Sequence, residues 1–207
     1  MRSSPVRSGA AVRPWRLGAL ARLAASLLAA ALGAAACADA PAGEAPSEAT
    51  GVAALTVSDD GVGPLGARTR FDTAAVRAAL PPGFSVDVRS APLAGASPIA
   101  AFADGLLALD AYPDASGNRL ARIDVLSEQA RGPGGVRVGQ SFAETGGAAL
   151  SCAPGEGDLA GRAVCTPEGH ARVRLVYAYG AAEPGVLPPL EALGGAILER
   201  IVWRAAP

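Results

Sequence analysis

The chain of 207 residues holds 49 Ala, 26 Gly and 17 Pro, and all 18 of its basic residues are Arg. Without Lys it can supply neither a P-loop nor a Schiff base, and one His excludes a His-rich metal site and disfavours a Ser-His or Cys-His nucleophilic pair. Its formal charge is −1, and its length fits one domain of ordinary size behind a targeting segment.

Residues 1–36 read as a secretory signal. Arg2, Arg7, Arg13, Arg16 and Arg22, with no acid among them, make the start positive, and an apolar run from Leu23 to Ala36 is broken only by Ser26 and Gly33. As a helix that run would be about 21 Å long, short of the roughly 30 Å hydrocarbon core, so cleavage is expected rather than a membrane span. The small residues Gly33, Ala34, Ala35 and Ala36 ahead of Cys37 resemble the lipobox of bacterial lipoproteins. That resemblance implies a diacylglyceryl group on Cys37, removal of the signal before it and acylation of the new amino terminus. Ordinary cleavage after Ala34-x-Ala36 is the competing reading, since Ala34 stands where a branched apolar residue is usual. Ala38, in place of the Asp that commonly retains lipoproteins in the inner membrane, points to the outer membrane, with the domain facing the periplasm.

Loss of residues 1–36 leaves 13 basic residues against 19 acidic ones, about −6. A chain of that sign has no electrostatic drive toward nucleic acid or anionic headgroups, so membrane attachment is expected from the N-terminal acyl chains alone.

Residues 37–50 run from Cys37 through ADAPAGEAPSEAT, which carries no large apolar side chain and reads as a disordered Ala/Pro/Glu tether. Residues 51–207 form the domain. Strands are expected over 53–58, 84–89, 99–102, 106–112, 119–126, 135–138 and 172–179, and around Ile197, Ile201 and Trp203, because apolar residues there tend to fall on alternate positions. The stretch Pro113–Asn118 carries turn chemistry and predicts a hairpin between two of them. Asp72 or Thr73 can cap a short helix ending before Pro81-Pro82-Gly83. Ser141, with Glu144 as the second half of a capping box, predicts another through Ala149, weakened by Gly146-Gly147. Pro188-Pro189 ahead of Leu190–Leu193 suggests a single turn. The fold class is therefore mainly β, an antiparallel, β-sandwich-like domain with two short helices. With Cys37 taken by lipid, Cys152 and Cys165 remain for each other in an oxidising compartment, as a structural staple rather than a C-x-x-C redox pair.

Several motifs invite chemistry. Gly61-Val62-Gly63-Pro64-Leu65-Gly66 matches G-x-G-x-x-G, but the helix cap comes only at Asp72 and Pro64 removes a donor, so turn glycines are expected and no cofactor. His170 has no carboxylate or thiol spaced in sequence to act with it. Asp59, Asp60, Asp110 and Asp114 match no compact calcium loop, so no metal site is expected. Arg172 and Arg174 share the polar side of one strand, where they could hold an anion or simply solubilise the surface. There is no G-x-S-x-G elbow, and no catalytic residue is assigned.

A family resemblance rests on Val57-Ser58 leading into Gly61-Val62-Gly63, then Arg122–Leu126, then Gly135-Val136-Arg137-Val138-Gly139-Gln140-Ser141-Phe142. It continues in the cysteine pair with Arg162-Ala163-Val164 before Cys165, and in Arg200-Ile201-Val202-Trp203-Arg204. In this order the sequence resembles the RpoE (sigma-E)-regulated bacterial lipoproteins, whose domain has no assigned activity. The resemblance implies an envelope lipoprotein linked to envelope stress, with a mainly β domain and no catalytic residues to carry over. The function expected is that of a non-enzymatic accessory or binding protein with an envelope protein as partner. The alternatives are an envelope hydrolase using carboxylates such as Asp87, Asp104, Asp110 or Asp124, and a small-ligand carrier. No residue pattern sets an oligomeric state.

Overall fold

In a computed structural model, residues 55–90, 97–180 and 185–206 are described. The expected signal, Cys37 and the tether lie outside the described residues. Among the described residues there are ten strands: β1 (Val57–Ser58), β2 (Gly61–Val62), β3 (Phe84–Val88), β4 (Ile99–Ala103), β5 (Leu106–Pro113), β6 (Leu120–Val125), β7 (Leu150–Pro154), β8 (Arg162–Pro167), β9 (Val173–Ala178) and β10 (Ile197–Arg204). β1 and β2 form a small hairpin. The other eight make one antiparallel sheet in the order β3-β4-β5-β6-β10-β9-β8-β7. Two meanders, β3–β6 and β7–β9, are thus joined by the C-terminal strand, which inserts between them.

One row of side chains crosses all eight strands on the core face: Val86, Ala101, Leu109, Val125, Ile201, Leu175, Cys165 and Cys152, each opposite the next. All but Cys152 are buried. Val76 and Leu80 from the helix, Leu55, Val62 and Leu65 around the β1–β2 hairpin, and Phe142 and Leu193 pack in the same cluster. Burying an aliphatic side chain of this size stabilises by about 1.5–3 kcal/mol, so this face is the principal source of fold stability. The ring of Phe142 meets that of Tyr177 edge-on at 5.2 Å.

The helix α1 (Thr73–Ala79) starts where expected. Asp72 accepts a hydrogen bond from the Ala75 amide at 2.7 Å, and the helix stops at Leu80 before the two prolines. Leu190–Leu193 makes a single 3₁₀ turn, and the Pro113–Asn118 hairpin joins β5 to β6. The second helix does not form. Its capping box does: the Ser141 amide donates to Glu144 at 2.7 Å and the Glu144 amide to Ser141 Oγ at 3.3 Å. Left-handed Gly146 (φ 74°) then ends the turn, leaving only a 3₁₀ piece over Gly147–Ala149. Residues 135–138 are not a strand, because the segment folds into a 3₁₀ turn over Pro133–Gly135 and then places Val136 and Val138 against the core. β7 and β8 are strands that periodicity did not mark.

Gly61 shows why the glycine cluster is a turn. Its φ is 154°, and a Cβ there would lie 1.9 Å from the Leu65 carbonyl oxygen. The amides of Val62, Gly63, Leu65 and Gly66 are all bonded within the protein, to Leu65, Thr56, Val62 and Thr69 respectively. None is left pointing outward as a phosphate cradle. Cys152 and Cys165 are directly opposed across β7 and β8 and form a disulfide, with Cα atoms 4.0 Å apart. It fastens the edge strand to the sheet.

Candidate functional site on the polar face of the sheet

Strand alternation sends a second row to the opposite face: Asp87, Ala100, Asp110, Asp124, Val202 and Arg174, each again opposite the next. Two acids thus stand face to face at its centre, an arrangement that destabilises a bare sheet. Both are nonetheless buried, Asp110 at 3% and Asp124 at 1% exposure.

Arginines make this tolerable. Arg122, two residues along β6, holds Asp124 with two bonds of 2.6 Å and extends a third of 2.6 Å to Asp158. Arg200 of β10 donates to Asp124 at 3.2 Å. Arg89, beyond the end of β3, grips Asp110 through both Nε and Nη2. Buried carboxylates persist when paired and hydrogen-bonded in this way. Burial alone would lower the Arg122 guanidinium, but the bonds to Asp124 and Asp158 raise it above its ordinary value. Burial also pulls the Asp158 carboxyl upward, and Arg122 more than reverses this to hold it below 3.8. The Tyr112 hydroxyl is raised by burial and then by the nearby negative charges of Asp124 and Asp110, while Arg122 lies 5.0 Å over its ring.

A different geometry occupies the other half of the face. The loop between β7 and β8 folds back over the sheet through a 3₁₀ turn at Gly157–Leu159. Gly155 permits the fold, since a Cβ there would sit 2.1 Å from the Leu159 carbonyl oxygen. Asp158 reaches Arg122 from this loop, and Leu159 packs on Val176, Val202 and Val164 in a small second core. Between loop and strands lies a cleft of about 660 Å³ whose lining includes Val164, Val202, Leu159, Arg174 and Arg204. Arg174 donates from Nη1 to the carbonyls of Ala171 and Val173, both at 2.8 Å. Neither Arg174 nor Arg204 forms an ion pair among the described residues.

Structure separates the candidates that the sequence put together. Asp87 is exposed and accepts from its neighbour Val88, and Asp104 is exposed in the β4–β5 turn at φ 52°. Arg172 leaves Arg174 for the end of the sheet, where its amide donates to Asp59 at 2.7 Å. His170 does have a carboxylate partner, contrary to expectation. Its Nδ1 lies 3.1 Å from Asp59 Oδ2, across 111 residues of sequence, and the Asp59 carbonyl also accepts from Trp203 Nε1 at 3.0 Å. Asp59 thereby clasps the β1–β2 hairpin to β9 and β10. His170 also edges a second cleft of about 450 Å³ with Glu144, Thr145 and Glu168.

Fold and site together define an antiparallel meander domain, stapled at one edge by a disulfide and carrying an arginine-lined cleft on its polar face. Residues 45–205 match the family described as a protein of unknown function (DUF1131), and the chain belongs to that family. Among solved structures it is similar to the crystal structure of the uncharacterized protein YfeY from Escherichia coli. The identity is 24% and the TM-score 0.55, over 72% of this chain and 99% of that one. That likeness shows the shared fold. No curated protein matches the chain.

Proposed function

We propose that the chain is a lipid-anchored protein of the bacterial cell envelope, a non-enzymatic accessory or binding protein linked to envelope stress. The observation that carries this reading is the Cys152–Cys165 bond, which leaves Cys37 as the one remaining thiol of the three, at the end of an apolar leader. A disulfide suits an oxidising compartment, and an unpaired cysteine at that position suits acylation. The anchor would hold the domain at the outer membrane, facing the periplasm, on the tether 37–50. Against the hydrolase alternative stands the state of Asp110 and Asp124: these two acids, brought together by the sheet, are held by Arg89, Arg122 and Arg200. Glycosidase carboxylates must instead face substrate, and at least one of them must exchange a proton with it.

The test is the intact mass of the protein from a membrane fraction, with and without reductant. The expected mass is that of residues 37–207 plus acyl chains, rising by about two hydrogens when the disulfide is reduced. An unmodified cleaved chain would make the protein periplasmic and unanchored, and would overturn the lipid anchor. A small-ligand carrier is the second reading, and the cleft beneath the β7–β8 loop favours it.

A further inference from the structure

Arg174 and Arg204 are diagonal neighbours on one face of the sheet. Arg174 is opposite Val202, and the Arg204 amide bonds to the Arg172 carbonyl, two residues before Arg174. Diagonal positions in a sheet lie about 7–8 Å apart, close enough for two long side chains to converge on one group. Arg122 is opposite Arg204 in the next strand, but it is already held by Asp124 and Asp158. Elsewhere on this face Arg89, Arg122, Arg162 and Arg200 each have a carboxylate. Arg174 and Arg204 do not, although the chain after residue 36 is net acidic and has carboxylates in excess. Glu156 is the one carboxylate in the cleft lining and is exposed, so the lining stays net positive.

Beside these two arginines the cleft offers open apolar surface at Ala153 and Val164, opposite each other on β7 and β8. Val164 packs against the buried second core of Leu159, Val176 and Val202, and Ser151 and Thr166 supply hydroxyls at the edge. An anion alone would leave that apolar surface wet, and a neutral hydrocarbon would leave both arginines without a counter-charge. We propose that the cleft binds a single-chain anionic amphiphile, with its carboxylate or phosphate head on Arg174 and Arg204 and its chain over Val164 and Ala153. A volume of about 660 Å³ lies within the roughly 300–1,000 Å³ of small-molecule sites. Guanidinium pairs bind either head through paired N–H donors. This inference deepens the carrier reading and does not need the anchor: a chain found without lipid would keep the same cleft.

The test is calorimetric titration of the protein purified from cells, in whatever form its intact mass reveals, held in discs of uncharged lipid where it is acylated. The probes are octanoate and octyl phosphate below their micellar concentrations, with octyl glucoside and inorganic phosphate as the neutral and headgroup-only controls. Saturable one-to-one binding of either octyl anion is expected, at least tenfold tighter than both controls, and the preferred octyl anion identifies the head. Arg204→Gln should weaken it at least tenfold with an unchanged melting temperature, and Val164→Thr should weaken it with Arg204 intact. Equal binding of octyl glucoside would reduce the site to an apolar crevice and overturn the proposal. So would equal binding of inorganic phosphate, no saturable binding, or unaltered affinity in a folded Arg204→Gln.

Discussion

The two halves of the polar face use the same residue type to opposite ends. On the β5–β6 side, Arg89, Arg122 and Arg200 are committed to Asp110 and Asp124, and each of these five charges has an ionic partner. On the β9–β10 side, Arg174 and Arg204 stand without ionic partners beside the open apolar surface of Ala153 and Val164. The first half uses charge to cancel a mismatch that strand register creates, namely two acids directly opposed. The second tolerates a like-charge neighbourhood that nothing in the described fold cancels. A charged residue that the fold does not require is where binding is to be sought.

This comparison breaks most readily at Asp124. Asp124→Ala strands Arg200 and half-frees Arg122 in a buried setting, and chemical denaturation should show a loss of about 3–5 kcal/mol. A loss within the range of a surface substitution would mean that the lattice is ornamental. Next comes the staple. Replacing Cys152 and Cys165 with Ala should cost about 3 kcal/mol for a loop of this length, and should loosen the β7–β8 hairpin in hydrogen exchange before β5–β6. Uniform loosening would contradict the separation of the halves. Asp72→Ala removes the helix cap on the other face and should cost about 1 kcal/mol without altering ligand binding in the cleft.

A smaller, pH-dependent effect links the halves through Asp158. Its folded-state carboxyl titrates below the ordinary 3.8, so the Arg122–Asp158 contact adds stability that is complete above 3.8 and fades as pH falls through the lower folded value. Asp158 is 43% exposed, and solvent screening keeps the contact near the about 0.2–1 kcal/mol of a surface pair. The difference in stability between the natural chain and Asp158→Asn should therefore be constant at neutral pH and shrink toward zero below pH 3.8. A gap that widens in acid would reverse the assigned sign.

Much of the core face was legible because alternation is a local property. β3, β5, β6, β9 and β10 lie where period two placed them, and Asp72 capped the helix it was assigned. The misses have local causes too. The Ser141–Glu144 box forms, but two glycines follow and the helix never extends. β7 and β8 flank a Gly- and Pro-rich loop that hides their pairing. The polar face was legible only in part: alternation sends Asp110 and Asp124 outward, and nothing local says that Arg89 and Arg200 will close over them. The His170–Asp59 contact and the folding of Leu159 onto Val202 depend on chain reversals that no spacing encodes.

The contrast between the halves comes down to two arginines directly opposed on adjacent strands, Arg122 and Arg204. Equilibrium denaturation of Arg122→Gln and Arg204→Gln, side by side, tests it most directly. Arg122→Gln, which leaves Asp124 with only Arg200, should cost about 3–5 kcal/mol, and Arg204→Gln should change stability by no more than about 0.5 kcal/mol in either direction. Equal losses in the two variants would show that Arg204 also serves the fold, and would contradict its assignment to a ligand.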